Sequence, residues 1–302
     1  ASSKSAGSKI NFLGNEYEVL DLENFDFSNV KITFFAAGGK ISENFAEKAA
    51  KHSFVIDNSS FYRMDPDVPL VVPQVNSDHL NDIKKNIIAN PNCSTAQLVI
   101  ALKPLHDLYN IKRIVVSTYQ SVSGGGKAPM DELIEQTKLA LNNKKVKSKN
   151  FTKQIAFNAI PHIDVFTDDG YTKEEIKMTN ETKKILDSKI NLTATCVRIP
   201  VLVSHSESVN IEFEKPFTLE KVTHALNNFE GCKVVDERLD GGYTTPIEAE
   251  GNNLTFISRI REDKSLKNGL NMWIVSDNLL RGAALNAVEI AEKLIENNFY
   301  GK

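Results

Sequence analysis

The chain has 302 residues, with 36 Lys+Arg against 39 Asp+Glu and 41% hydrophobic residues. That is the composition of an ordinary globular protein long enough for two domains, and a formal net charge of −3 excludes broad electrostatic attraction to nucleic acid or an anionic membrane. Three cysteines, Cys93, Cys196 and Cys232, stand far apart with no CxxC pair, which argues against a zinc site and fits free thiols in a reducing cytoplasm.

Residues 1–7 (ASSKSAG) form a small polar loop that can hold a phosphate through hydroxyls, N–H groups and one cation, although a loose terminus is the better reading on residues alone. Residues 10–12 and 17–20 flank Gly14-Asn15 as a hairpin. Residues 30–35 (VKITFF) read as a buried strand that ends in Ala36-Ala37-Gly38-Gly39 and leads to a helix over 42–51. Strand, glycine turn and helix is the format of a nucleotide-binding unit, though two glycines after a strand often serve packing only. A strand at 54–56 is closed by Asp57-Asn58-Ser59-Ser60. Arg63 follows, placed to bind phosphate or carboxylate, with a surface ion pair as the plain alternative. Strands at 70–73 and 87–89 complete a doubly wound parallel α/β pattern.

Asn90-Pro91-Asn92-Cys93-Ser94-Thr95 joins the last of these strands to a helix over 95–109, in which Pro104 predicts a kink or break. Cys93 is thus expected beside a helix N-terminus, where free N–H groups and the helix dipole lower a thiol pKa and favour the nucleophilic thiolate. A small buried cysteine at a turn is an equal reading of the hexapeptide. Beyond it come a strand at 111–120, a glycine loop at 121–126, a helix at 129–142, a lysine-rich loop at 142–154 and a charged helix at 172–186. Strands at 192–200, 204–213, 254–261 and 272–276 suggest a large mixed sheet in an α+β unit, and a last helix covers 278–296. The division expected is an α/β nucleotide-binding unit from 1–91 and 277–302, and an α+β unit from 92–276.

A thiol enzyme needs a proton partner. His52, His79 and His224 read as solvated, and His106 lies more than three turns along the Cys93 helix. His162 and His205 remain. His205, at a strand boundary seven residues after Arg198, ranks only slightly ahead.

Five motifs then converge. Residues 91–95 (PNCST), 118–124 (TYQSVSG), 195–200 (TCVRIP), 205–208 (HSES) and 273–280 (WIVSDNLL) resemble, in order, those of bacterial aspartate-semialdehyde dehydrogenases. The resemblance implies a Rossmann-like domain, a homodimer, and NADPH-dependent conversion of aspartyl phosphate to aspartate semialdehyde through a cysteine thioester, a step in lysine, threonine and methionine biosynthesis. It implies Cys93 as nucleophile, His205 as acid–base residue and Gln120 as the group orienting the intermediate. It assigns Arg198 to the substrate carboxylate, Glu174 and Lys177 to the substrate and its phosphate, and Arg63 and Asn92 to phosphate. For NADP it implies Ser2, Lys4 and Ser5 at the 2′-phosphate and Ala37, Gly38, Gly124 and Asn278 elsewhere. No metal, nucleic acid or membrane partner is implied.

The family opens on a strand and a Gly-x-x-Gly-x-x-Gly turn, neither of which is present here, so the expectation is a further segment ahead of Ala1. Two other functions stay in view. One is a Cys93–His205 thiol hydrolase or acyltransferase without nicotinamide. The other is a cofactor-binding remnant without turnover.

Overall fold

The computed structural model describes residue 1 and residues 4–297. β1 (Lys9–Phe12) and β2 (Asn15–Glu18) pair as an exposed hairpin across Leu13 and Gly14. Both turn residues have positive φ, as a two-residue turn of this hand demands. β3 (Ile32–Phe35), β4 (Phe54–Asp57) and β5 (Ile87–Ala89) form a parallel sheet in that order. α1 (Gly39–Ala50) crosses from β3 to β4 and buries the small residues Ser42, Ala46, Ala49 and Ala50. It starts after Gly38, whose φ of +91° a side chain would strain.

The expected strand at 70–73 is reduced to one bridge, Leu70 to Ala89, before α2 (Pro73–Asn76) begins. Pro73 has no N–H for a sheet ladder but suits the first turn of a helix.

α3 (Cys93–Tyr109) is the buried axis of the molecule, and Pro104 does not break it. Proline removes the N–H that would bond Ile100. The Cys232 thiol, 3.7 Å away, donates to that carbonyl instead. Burial pushes this thiol up to about 12, so it keeps its proton as a donor.

The second sheet is mixed, as expected, and has six strands in the order β7-β6-β8-β11-β10-β9. They are β6 (Ile111–Gln120), β7 (Asn191–Arg198), β8 (His205–Phe213), β9 (Cys232–Val234), β10 (Thr255–Asp263) and β11 (Gly269–Ser276). One face buries Ile114, Val116, Val209, Ile211 and Met272 in the core that α3 shares with α5 (Lys173–Ile185) and α6 (Leu219–Asn227). The other face carries Tyr119 and Trp273, their rings 5.4 Å apart, with Tyr119 36% exposed. The short α7 (Pro246–Ala249) packs Ala249 against Phe256 and Val275 beside Trp273, and α4 (Lys127–Leu141) follows the glycine loop after β6.

The last helix starts later than expected. A π-helical turn, Leu280–Ala284, precedes α8 (Leu285–Glu296). α8 then packs Ala287, Ile290, Ala291 and Leu294 against Ile56, Val71, Leu80 and Ile88, returning the chain to its first sheet. Among the described residues no helix is long and apolar enough to cross a membrane.

Candidate active site

Asn92 sets the position of Cys93. Its Oδ1 accepts from the Ser94 and Thr95 N–H groups at 2.9 and 3.4 Å, an N-cap that makes Cys93 the first helical residue of α3. Cys93 faces a cavity of about 460 Å³ at the carboxyl ends of β3, β4 and β5. The same cavity is lined by Gly38, Arg63, Asn92, Gln120, Gly124, Glu174, Lys177, Arg198 and Asn278, ten of the fifteen expected site residues when Cys93 is counted. They come from segments more than two hundred residues apart in the chain.

The others stand elsewhere. His205 lies behind the cavity wall, fully buried. Ala37 is exposed in the bend before Gly38, and Lys4 and Ser5 lie in an exposed turn and do not line the cavity. Ser2 falls outside the described residues. His162, the alternative histidine, lines a neighbouring cavity and stacks on Phe166 at 4.3 Å.

α5 builds one wall. Its capping box, Thr172 with Glu175, fixes the helix start. Glu174 Oε1 then accepts from Asn92 Nδ2 at 2.9 Å and Gln120 Nε2 at 3.1 Å, while Oε2 accepts from Lys177 Nζ at 3.2 Å. Burial opposes its charge, yet Lys177 and the two amides hold its carboxyl below the usual range. Burial likewise opposes the charge of Lys177, but Glu174 and Asp164 keep its ammonium above the ordinary lysine value. Asp164, at 2.7 Å from Lys177, was not anticipated, and no spacing in the sequence singles it out.

The second wall is held by a serine network. The Ser121 N–H donates to His205 Nδ1 at 3.0 Å, and the Ser121 hydroxyl lies at 3.0 Å from the same nitrogen. A backbone N–H can only donate, so Nδ1 accepts and the neutral ring carries its proton on Nε2. Burial and the Arg198 charge push the pKa of His205 well below its ordinary value, so the ring is neutral. Asn278 Oδ1 accepts from the Ser121 and Ser123 hydroxyls and from the Ser204 N–H. This last bond steadies Ser204, whose φ of +76° is a strained presentation of the next residue, His205. Arg198 donates from Nη1 to the Ser121 carbonyl. Gly124 sits between the two: a Cβ there would lie 3.1 Å from Arg198 Nη1 and 3.2 Å from His205 Nε2. Arg198 and His205 therefore converge on one point, which only a glycine leaves open.

Two expectations about Cys93 change. Its thiol is not lowered by the helix start. Burial and the Glu174 charge push it up to about 12, against the opposing pull of Arg198 and Arg63. The helix N–H groups are also mostly engaged, Asn92 by Glu181 and Ser94 and Thr95 by Asn92 itself, which leaves the N–H of Cys93 for a developing oxyanion. Gly282 of the π-helical turn was not anticipated either. A Cβ on it would stand 2.7 Å from Cys93 Cβ, so the turn meets Cys93 through bare backbone.

The cavity suits a nicotinamide: Gly38 and Gly39 let a ligand reach backbone at one end, and Gly124 opens the wall before His205 Nε2, which has no hydrogen-bond partner among the described residues.

Comparison with known proteins agrees with this geometry. Residues 1–83 match the family model described as the semialdehyde dehydrogenase NAD binding domain, and residues 102–281 the semialdehyde dehydrogenase dimerisation domain. Aspartate-semialdehyde dehydrogenase of Aquifex aeolicus is 52% identical over 98% of this chain and 88% of its own length. The crystal structure of aspartate semialdehyde dehydrogenase II of Vibrio cholerae complexed with ASA superposes with a TM-score of 0.95 at 45% identity, covering 98% of this chain and 89% of that one. The Candida albicans enzyme with NADP superposes with a TM-score of 0.78 at 26% identity, covering 99% and 90%.

Proposed function

The chain belongs to the aspartate-semialdehyde dehydrogenases, and from that premise we propose how its own residues divide the work. The reaction is the reductive dephosphorylation of aspartyl phosphate to aspartate semialdehyde, in amino-acid biosynthesis. The observation that carries the assignment of roles is the meeting of Cys93, Arg63, Arg198 and the His205 wall in one cavity.

Cys93 attacks the acyl carbon; the carbon–oxygen bond to phosphate breaks as the carbon–sulfur bond forms, and the thiol proton leaves on the departing phosphate oxygen. Arg63 receives the departing phosphate, its guanidinium fixed by the Asn58 and Asn90 carbonyls so that its remaining N–H groups face the cavity. Arg198 grips the substrate carboxylate, and Glu174 and Lys177 hold the rest of the substrate. A bound nicotinamide supplies the reducing equivalent that takes the thioester to the aldehyde level. His205 donates from Nε2 to the oxygen of the tetrahedral thiohemiacetal, with the Cys93 N–H as second donor. This refines the acid–base role: with Nδ1 accepting from Ser121, the resting ring gives a hydrogen bond and does not take the thiol proton.

NADP as the particular cofactor is supported by the exposed Lys4 and Ser5 turn, with lysine supplying charge though not the fork of an arginine. The protein is a homodimer, in keeping with its dimerisation domain. We place the contact on the Tyr119–Trp273 face of the large sheet. Residues 1–91 with 277–302 are taken as the cofactor unit and 92–276 as the catalytic unit, supported by the packing of α8 on the first sheet. Unpaired cysteines and a thiol nucleophile favour the cytoplasm.

His205→Asn tests the reading. Turnover should fall about 10²–10⁴-fold, with little change in KM, while His162→Asn should stay near wild type. Because His205 Nδ1 accepts from the Ser121 N–H, and burial and Arg198 oppose protonation of the ring, both variants should keep the limbs of the wild-type pH–rate profile. The opposite ranking of the two histidines would move the chemistry to His162.

A further inference from the structure

The charged stripe on α5 continues past the substrate. Glu174, Lys177, Glu181 and Lys184 fall three or four residues apart and so share one helix face. The first two line the cavity, and the third does something different. Glu181 is 1% exposed, and its two carboxylate oxygens are divided between two functions. Oε1 accepts from Arg63 Nη1 at 3.0 Å, and Oε2 accepts from the Asn92 backbone N–H at 2.6 Å. One carboxylate thus touches both the guanidinium at the phosphate end and the residue immediately before the nucleophile.

The surroundings tighten this link. Arg63 is held on two other sides, Nε by the Asn90 carbonyl at 2.9 Å and Nη2 by the Asn58 carbonyl at 3.0 Å. Asn92 is held a second time from the same helix, through its side chain, by Glu174. One turn further on, Lys184 Nζ donates to the carbonyls of Arg63, Asp65 and Val68, at 2.8, 2.7 and 2.8 Å, and so anchors the loop that carries Arg63. A buried ion pair held only for packing could be exchanged for apolar side chains. This one spends each oxygen on a different partner, and both partners border the reacting atoms.

We propose that Glu181 is a positioning residue for the phosphate half of the reaction, fixing the Arg63 guanidinium and the Cys93 turn in one frame so that the departing phosphate and the attacking sulfur stay in register. The proposal rests on the reading above in which Arg63 receives phosphate. Glu181 meets neither substrate nor sulfur, and acts through Arg63 and Asn92.

The test runs the reaction in the phosphorylating direction with aspartate semialdehyde, NADP and inorganic phosphate, on wild type, Glu181→Gln, Arg63→Met and the double variant. Gln keeps the shape but offers one acceptor oxygen where two are needed. Glu181→Gln should lower kcat/KM for phosphate by about 10–100-fold, the scale of a small misplacement at a reacting group, and leave the KM for semialdehyde nearly unchanged. In the Arg63→Met background the same substitution should cost less, because one of the two groups it acts through is gone. Equal losses for both substrates, full additivity with Arg63→Met, or no effect would each overturn the proposal. If Glu181→Gln does not fold, as judged by its thermal midpoint, Glu181→Asp carries the same comparison, since it withdraws the carboxylate by one methylene. A wild type without phosphate-dependent turnover would overturn the functional reading instead.

Discussion

Cys93 is the residue where electrostatics and access part company. All three thiols are pushed up by burial, but Cys93 alone of the three lines the central cavity. In the ligand-free protein its alkylation by iodoacetamide should therefore outpace that of Cys196 and Cys232 through access, while still rising with pH without a plateau near neutrality. The sign follows from the raised pKa: below it the thiolate fraction, and so the rate, grows about tenfold per pH unit. The Glu174 charge contributes to that raised value. Glu174→Gln should then quicken alkylation at a fixed pH even as it weakens turnover. A slower reaction, or a plateau near neutral pH, would show that the carboxylate does not hold the thiol in check.

At the scale of elements, α5 shows what a sequence can and cannot disclose. Its boundaries were legible from Thr172 and the alternation of charge, yet that alternation reads equally as a solvated surface. What buries the stripe are partners from far away in the chain: Arg63, Asn92 and Gln120 supply the donors that make charge tolerable inside. Glu181 had one usable signal, its spacing of seven from Glu174, which places both on one face. The Cys93 turn and the strands of the large sheet other than β9 were readable from pattern, because their side chains bury by local periodicity, whereas β9 is three residues long and shows none. The stretch at 70–73 misled, since a proline closing an apolar run looks like the end of a strand. Pro104 misled for the opposite reason: its rescue comes from Cys232, which no local pattern could supply. Because α5 carries four working side chains, its cap matters. Thr172→Ala should lower stability by about 1 kcal/mol, measured as a shifted denaturant midpoint at unchanged slope. A neutral result would mean that Glu175, which also accepts from the Cys196 N–H, holds the helix start alone.

At the scale of the whole molecule, one face of the six-stranded sheet carries Tyr119 and Trp273, with the short α7 packed beside them on β11. Placing a homodimer contact there predicts a light-scattering mass twice that of the chain at micromolar concentration, and Tyr119→Arg, which sets a charge against its own symmetry mate's surface, should shift the mass toward one chain. A dimer unaffected by that substitution would put the contact elsewhere. The π-helical turn bears on something else, the order of manufacture. A chain is made from its N-terminus, and its parts fold as they emerge. Cys93 and the α3 start are made early, but Asn278, which steadies the His205 wall, and Gly282, which backs the sulfur, are synthesised almost two hundred residues after them. Until that segment arrives, the thiol has neither its rear wall nor its histidine in place, so the newborn protein carries a sulfur whose chemistry stays unassembled until late in its own translation.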